Sequence, residues 1–287
     1  MQIWKRFSNI TGYLEHDSSL IAALVLTAVE QYRLNSLEIM LASNILSDAE
    51  LSAIQQSLQE SAEKMPQINR NALYYEAVFG NDTACGWANG TLFDNQEDSG
   101  SEGIKHYRFL LPGVWYLANC NYRNLLTCYN AENLCKVQAP TDSSLKNLLP
   151  QMMLPATDTA GKRMHEMTMR YQAFIALIEA EKIKRKSGKY PEKLPLDIID
   201  FFSGEPLKYN IGSHEIPEAY LTLKENAHED IGLFGKYTIT YRPKTVQGVA
   251  VWSIGKNKID ENGYNGFAIP GNGKAADDQR ALLIISR

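Results

Sequence analysis

The chain has 287 residues, 44% of them hydrophobic and 22% charged, the proportions of a folded protein with a core large enough to stand without staples. A net charge of −4 offers no basic field for nucleic acid. The longest unbroken apolar run, Leu20 to Leu26, falls far short of the roughly 20 residues that cross a bilayer. The opening Met1-Gln2-Ile3-Trp4-Lys5-Arg6 is followed by neither an apolar h-region nor a small-residue cleavage site, so it reads as no signal peptide.

In chain order, residues 17–43 predict a helix whose core face holds Ile21, Leu24, Val25, Ala28, Val29 and Tyr32 at i, i+3, i+4 spacing. Ser47-Asp48-Ala49-Glu50 is a capping box, with Leu46 and Leu51 placed as its hydrophobic staple. It opens a second helix with Leu51, Ile54 and Leu58 on the buried side, and Pro66 is expected to end it. The short turn between the two helices predicts an antiparallel hairpin. Asn71 to Phe79 reads as a short helix carrying Glu76. Residues 80–103, rich in Gly, Asn, Asp, Ser and Glu, read as a long loop. Residues 105–135 return to helical character with a break at Pro112-Gly113, and Pro140 to Pro155 read as a connector.

A long helix is predicted from about Asp158 to Ser187, with Met164, Met167, Tyr171, Phe174, Ile175 and Ile178 on its apolar face. Lys182, Lys184, Arg185 and Lys186 suit the negative end of its dipole, Gly188 suits the position just past its end, and Pro191 forbids continuation. The period then shortens. Tyr237–Tyr241, Gly248–Ile254 and Ala281–Ser286 read as strands, with a Gly- and Asn-rich loop at 255–279. The expected fold is α+β: a helical region over residues 1–155, then a long helix packed on a small antiparallel sheet over residues 156–287.

Four cysteines, Cys85, Cys120, Cys128 and Cys135, have no Cys-x-x-Cys spacing, which argues against a zinc knuckle or a thioredoxin-type motif. Along a continuous helix Cys120 and Cys128 would lie ~12 Å apart at ~1.5 Å per residue, too far to bridge. Two disulfides, one pinning the loop at Cys85 to a helical cysteine, or four reduced thiols both satisfy the count.

From about Tyr171 onward the chain resembles the globular part of type II secretion pseudopilins. The residues that carry the likeness are Gly188, Tyr190, Pro191 and Leu194, then Phe202, Gly204, Pro206 and Tyr209, then Trp252-Ser253-Ile254-Gly255 and Asp277-Asp278, with Asp200-Phe201 at the leading Asp-Pro of the entry. In that family a long helix ends in Gly-x-Tyr-Pro, an Asp-led Gly-x-Pro-x-x-Tyr segment enters the sheet, and a later acidic loop holds calcium. Here Phe201 replaces the proline of the entry, Asn257 and Lys258 replace the Asp-Gly of the loop, and a helical region stands where that family has its apolar helix half. The whole chain is also similar to uncharacterised bacterial proteins that join such a tail to a helical region, carried here by Leu20–Leu24, Leu46-Ser47, Leu51, Leu73 and Glu76. That likeness implies an extracytoplasmic protein, the soluble portion of a longer membrane-tethered chain. Any membrane contact would then come through a segment outside this sequence.

Several groups qualify as sites. Asp260, Glu261, Asn262, Asp277 and Asp278 could supply the oxygens that calcium takes from a flexible loop. No other cofactor is expected. Glu76, in an apolar helix, fits either a general base or a helix-packing ion pair or cap, with Arg70 or Arg108 as partners, and His106 is a second weak catalytic candidate. His165-Glu166 lacks a second histidine at i+4, where Met169 stands, so it makes no zinc pattern. The basic run Lys182–Lys189 could meet acidic lipid or a partner, and Trp87, Phe93, Trp115 and Tyr116 could line a groove. The expected function is non-enzymatic assembly or partner binding at a secretion or envelope apparatus, with a protein as the partner. A hydrolase with a cleft between the helical region and the sheet, near Glu76 or His106, and a peptide- or glycan-binding module built on the aromatics, are the alternatives.

Overall fold

The structure, a computed structural model, describes residues 2–89, 116, 119–124, 148–223, 237–255, 257–263 and 279–286. It is α+β: a mainly helical N-terminal region and a small C-terminal antiparallel sheet of three strands. The helices are α1 (Gln2–Leu14), α2 (Leu20–Ala42), α3 (Asp48–Asn89) and α4 (Leu148–Ser187). The strands are β1 (Lys208–Leu223), β2 (Tyr237–Ser253) and β3 (Gln279–Ser286), in the order β1-β2-β3. Two compact units result, one from Met1–Gln31 with Glu63–His165, the other from Tyr32–Ala62 with Glu166–Arg287.

The capping box at the start of α3 forms as its sequence requires. The Glu50 carboxylate accepts from the Ser47 amide at 2.9 Å, and the Ser47 hydroxyl accepts from the Glu50 amide at 3.3 Å. Leu46 and Leu51 are both buried beside it. Pro66, however, does not end the helix. It lies on the exposed side of α3, while Ala62, Met65, Asn69, Ala72 and Leu73 are buried on the other. Packing of that face carries the helix across the missing hydrogen bond, so the short helix expected at 71–79 is the continuation of α3, and residues 80–89 are helical as well. Residues 148–155, read as connector, belong to α4. Cys85 therefore stands in a helix and not in a loop.

The predicted core face of α2 points outward. Ala22, Ala23, Leu26, Glu30, Arg33, Leu34, Leu37 and Leu41 are buried, whereas Ile21, Leu24, Val25 and Tyr32 are exposed. The apolar face of α4 agrees with expectation: Met164, Met167, Tyr171, Phe174, Ile175 and Ile178 are all buried. Between Ala173 and Ile178 every side chain is buried, so this stretch is surrounded on all sides.

The sheet also differs in its membership. Tyr237–Tyr241 and Gly248–Ile254 lie in one strand, β2, and its partner β1 was legible only as a strand entry. Lys208 pairs with Trp252 at one end of the ladder and Leu223 with Tyr237 at the other. Pro217 faces Pro243, beyond the stretch where β3 pairs with β2, so each proline sits where a missing amide costs little. Both faces of β2 are buried: Val249 and Val251 on one, Val246, Ala250 and Trp252 on the other.

Candidate functional site

The end of α4 is tied down by its own motif. Gly188 adopts φ +81°, the left-handed conformation that favours glycine, and its amide donates to the Lys184 carbonyl at 2.7 Å. The Tyr190 hydroxyl donates to Glu181 at 2.6 Å, and burial together with that carboxylate holds the phenol far above its ordinary range. Arg185 binds the other Glu181 oxygen at 3.0 Å. It also closes the turn between α2 and α3, donating to Asn44, to the Leu46 carbonyl and to Asp48. Lys182 reaches Gln55 and lies 3.7 Å from Glu179, and Lys184 lies 3.7 Å from Glu181. Much of the basic run thus serves internal pairs. The Tyr209 hydroxyl donates to the Pro191 carbonyl at 2.9 Å, and burial pushes this phenol up to about 12.

Asp200 is the centre of the sheet entry. Only 1% exposed, it accepts four hydrogen bonds from two parts of the chain. One carboxylate oxygen takes the Phe202 amide at 3.0 Å and the Ser253 hydroxyl at 2.8 Å. The other takes the Ser203 hydroxyl at 3.1 Å and the Ile254 amide at 3.1 Å. Its own backbone closes the turn: the amide donates to Glu205 and the carbonyl accepts from Gly204, which adopts φ +76°. The segments D-F-F-S-G-E-P and W-S-I-G, distant in sequence, are joined by this one carboxylate.

Beyond Ile254 the loop folds onto Trp252. The indole N–H donates to Asp260 at 2.9 Å, and the Asn262 amide donates to the same oxygen at 2.9 Å. Gly263, at φ +73°, packs so closely that an added methyl would lie 3.2 Å from both Trp252 and Arg280. His214 is buried at 6.4 Å from Trp252 in an edge-to-face contact, and burial and the nearby Arg280 hold its imidazole below the usual range.

The outer edge of β3 is closed by side chains. Arg170 donates to the Arg280 carbonyl at 3.3 Å, while Glu38 accepts from the Leu282 amide at 3.3 Å. A strand's residues i and i+2 present these groups to the same side, so an arginine from α4 and a glutamate from α2 take the place of a fourth strand. Asn35 accepts from Arg170 at 2.7 Å, and the guanidinium lies 5.7 Å from the Phe174 ring centre. Burial pushes the Glu38 carboxyl up against the opposing pull of Arg170, Arg280 and the Leu282 amide.

The sequence candidates fall as follows. Glu76 accepts the Leu20 amide at 3.3 Å and so satisfies the start of α2, the cap reading of this residue. His106 lies outside the described residues. Of the calcium set, Asp277 and Asp278 also lie outside them. Asp260 holds the indole, and Glu261 accepts from Asn257 at 2.6 Å. Among the described residues no three His, Cys, Asp or Glu side chains gather as a metal site. Cys120 is unpaired and half-buried, and Cys128 and Cys135 lie outside the described residues; of the aromatic group Trp87 stands in α3, Tyr116 is exposed to solvent, and Phe93 and Trp115 lie outside the described residues. No described helix is long and apolar enough to cross a membrane. Asp200, Glu38 and Arg170 were not read as functional from sequence. Only Asp200 carried a signal, as the leading residue of the segment that enters the sheet.

No family model matches the chain, and no curated protein or solved structure matches it either.

Proposed function

We propose that this is a non-enzymatic extracytoplasmic protein with a pseudopilin-like tail and an assembly or partner-binding role at a secretion or envelope apparatus. The observation that carries the reading is the use made of its motif residues. Tyr190 ties the turn after the long helix back to Glu181, Tyr209 ties β1 to that turn, and Asp200 ties the sheet entry to the end of β2. They stand in the order helix, Gly-x-Tyr-Pro, Asp-led turn, sheet, which is the order of the pseudopilin tail. The weak catalytic candidate that is described, Glu76, is engaged as a helix cap. An uncharged outward face on α2 supplies surface for a partner.

The test belongs in the parent cell. Alkaline phosphatase fused after Arg287 in the natural full-length protein should be active, because that enzyme matures only outside the cytoplasm. Removing the protein should change the set of exported or envelope-assembled proteins. An inactive fusion, or an exported set unchanged by the deletion, refutes the reading.

A further inference from the structure

We propose that α2 is a self-association surface, on which a second copy of this chain packs its own α2. The helix keeps its charges off its outward face. Its charged residues Glu30 and Arg33 are buried, and Glu38 turns to the β3 edge. The outward residues Ile21, Leu24, Val25, Ala28, Gln31, Tyr32, Asn35 and Ile39 include no charge at all. Within them, Ile21, Val25, Ala28, Tyr32, Asn35 and Ile39 follow at steps of four, three, four, three and four, the spacing of a seam between two helices.

Such a row can meet a copy of itself, since a two-fold interface places one patch against the same patch. A chain of net charge −4 repels its own copy least where its surface is uncharged. The area is adequate. Ile21 is 73% exposed, Leu24 41%, Val25 44%, Tyr32 68% and Ile39 64%. These five residues leave roughly 600 Å² open, and with Ala28, Gln31 and Asn35 the row approaches the ~800 Å² per partner of a standard interface. Tyr32 and Asn35 bring the polar groups of the seam, the Asn35 carbonyl accepts from Arg170 of its own chain, and a polar residue in such a seam fixes register at a cost in stability. The inference rests on the partner-binding reading and names one partner for it. Its failure would leave a different protein partner standing.

Sedimentation of the full chain from about 1 to 200 µM tests it. The expected result is a species of twice the 32.3 kDa chain mass. Val25→Glu and Tyr32→Glu, both at exposed positions, should keep the wild-type far-UV circular dichroism and weaken association about 100-fold, since each would bury a charge in the seam. Gln67→Glu, exposed on α3, should leave the dimer intact. Ala28→Cys should cross-link on oxidation well above the background of the native cysteines, which decides the matter if a glutamate variant misfolds. A wild-type chain that stays monomeric at about 200 µM overturns the proposal. So does a dimer indifferent to both glutamates, and so does binding to phosphatidylglycerol vesicles that Val25→Glu abolishes, which would assign the face to lipid.

Discussion

Replacing Asp200 should release the sheet-entry turn from the end of β2. The buried carboxylate accepts two backbone amides, from Phe202 and Ile254, and two hydroxyls, from Ser203 and Ser253. A hydroxyl can rotate to another partner, but an amide cannot. Asp200→Asn keeps the shape and puts an NH₂ group where one carboxylate oxygen stood, so one buried amide loses its acceptor. The expected loss is about 1–3 kcal/mol. Asp200→Ala strands both amides and opens a small void, for about 3–5 kcal/mol. Urea unfolding followed by tryptophan fluorescence and circular dichroism together measures this, because Trp252 lies beside the hub while the helices dominate the dichroism. Ser253→Ala, in a double-mutant cycle with Asp200→Asn, should show coupling, since each single change breaks the same contact. An Asp200→Asn chain within about 0.5 kcal/mol of wild type would show that this carboxylate is not the tie between the two segments.

Arg170→Leu should cost about 2–3 kcal/mol, because it leaves the half-buried Glu38 without its cation and frees the β3 edge; light scattering should rise as exposed edges pair. An Arg170→Leu chain as stable and as soluble as wild type would contradict the edge-closure argument. The imidazole of His214 is held below its ordinary 6.5, so the unfolded chain takes up its proton first as pH falls. Its contribution is therefore whole above about pH 6.5 and declines below it. His165, lowered by burial, acts in the same direction. His214→Gln should flatten part of this slope in melting temperatures measured from pH 7 to 5, and an unaltered slope would exclude the residue. Glu38 works the other way. Its carboxyl is raised above 4.5, so its contribution is whole below that pH and declines as pH rises through the raised value; Glu38→Gln should remove that decline. Pro66→Ala should stabilise the chain by about 1–3 kcal/mol, since the helix already runs through this position and only a hydrogen bond is restored. No gain in urea midpoint would mean that α3 bends there to meet its packing.

Local chemistry made part of this fold legible. The reciprocal bonds of Ser47 and Glu50, the left-handed Gly188 and the buried face of α4 each depend on residues within a few positions of one another. α2 was harder, because it is apolar on nearly every side and periodicity alone does not rank its faces. What ranked them was the burial of Glu30 and Arg33, and the guanidinium of Arg33 donates to Ser61 on a different helix. β1 concealed itself by composition. Gly212, Glu215 and Pro217 interrupt alternation, and they are tolerated because β1 stands at the edge of the sheet. The Asp200 hub was half legible: its turn partners are neighbours, but Ser253 and Ile254 come from a strand end more than fifty residues away.

The sequence by itself determined where α3 begins and where α4 ends, that the chain ends in a small antiparallel sheet, and that its tail runs in the order helix, tyrosine–proline turn, aspartate-led turn and strands. Those are short-range matters of capping, glycine conformation and period. Only the tertiary structure decided which face of α2 lies inside, that α3 continues past Pro66, and that Glu38 and Arg170 close the β3 edge. In each case the deciding contact comes from a distant part of the chain, and burial against it outweighs the preference that the local sequence expresses.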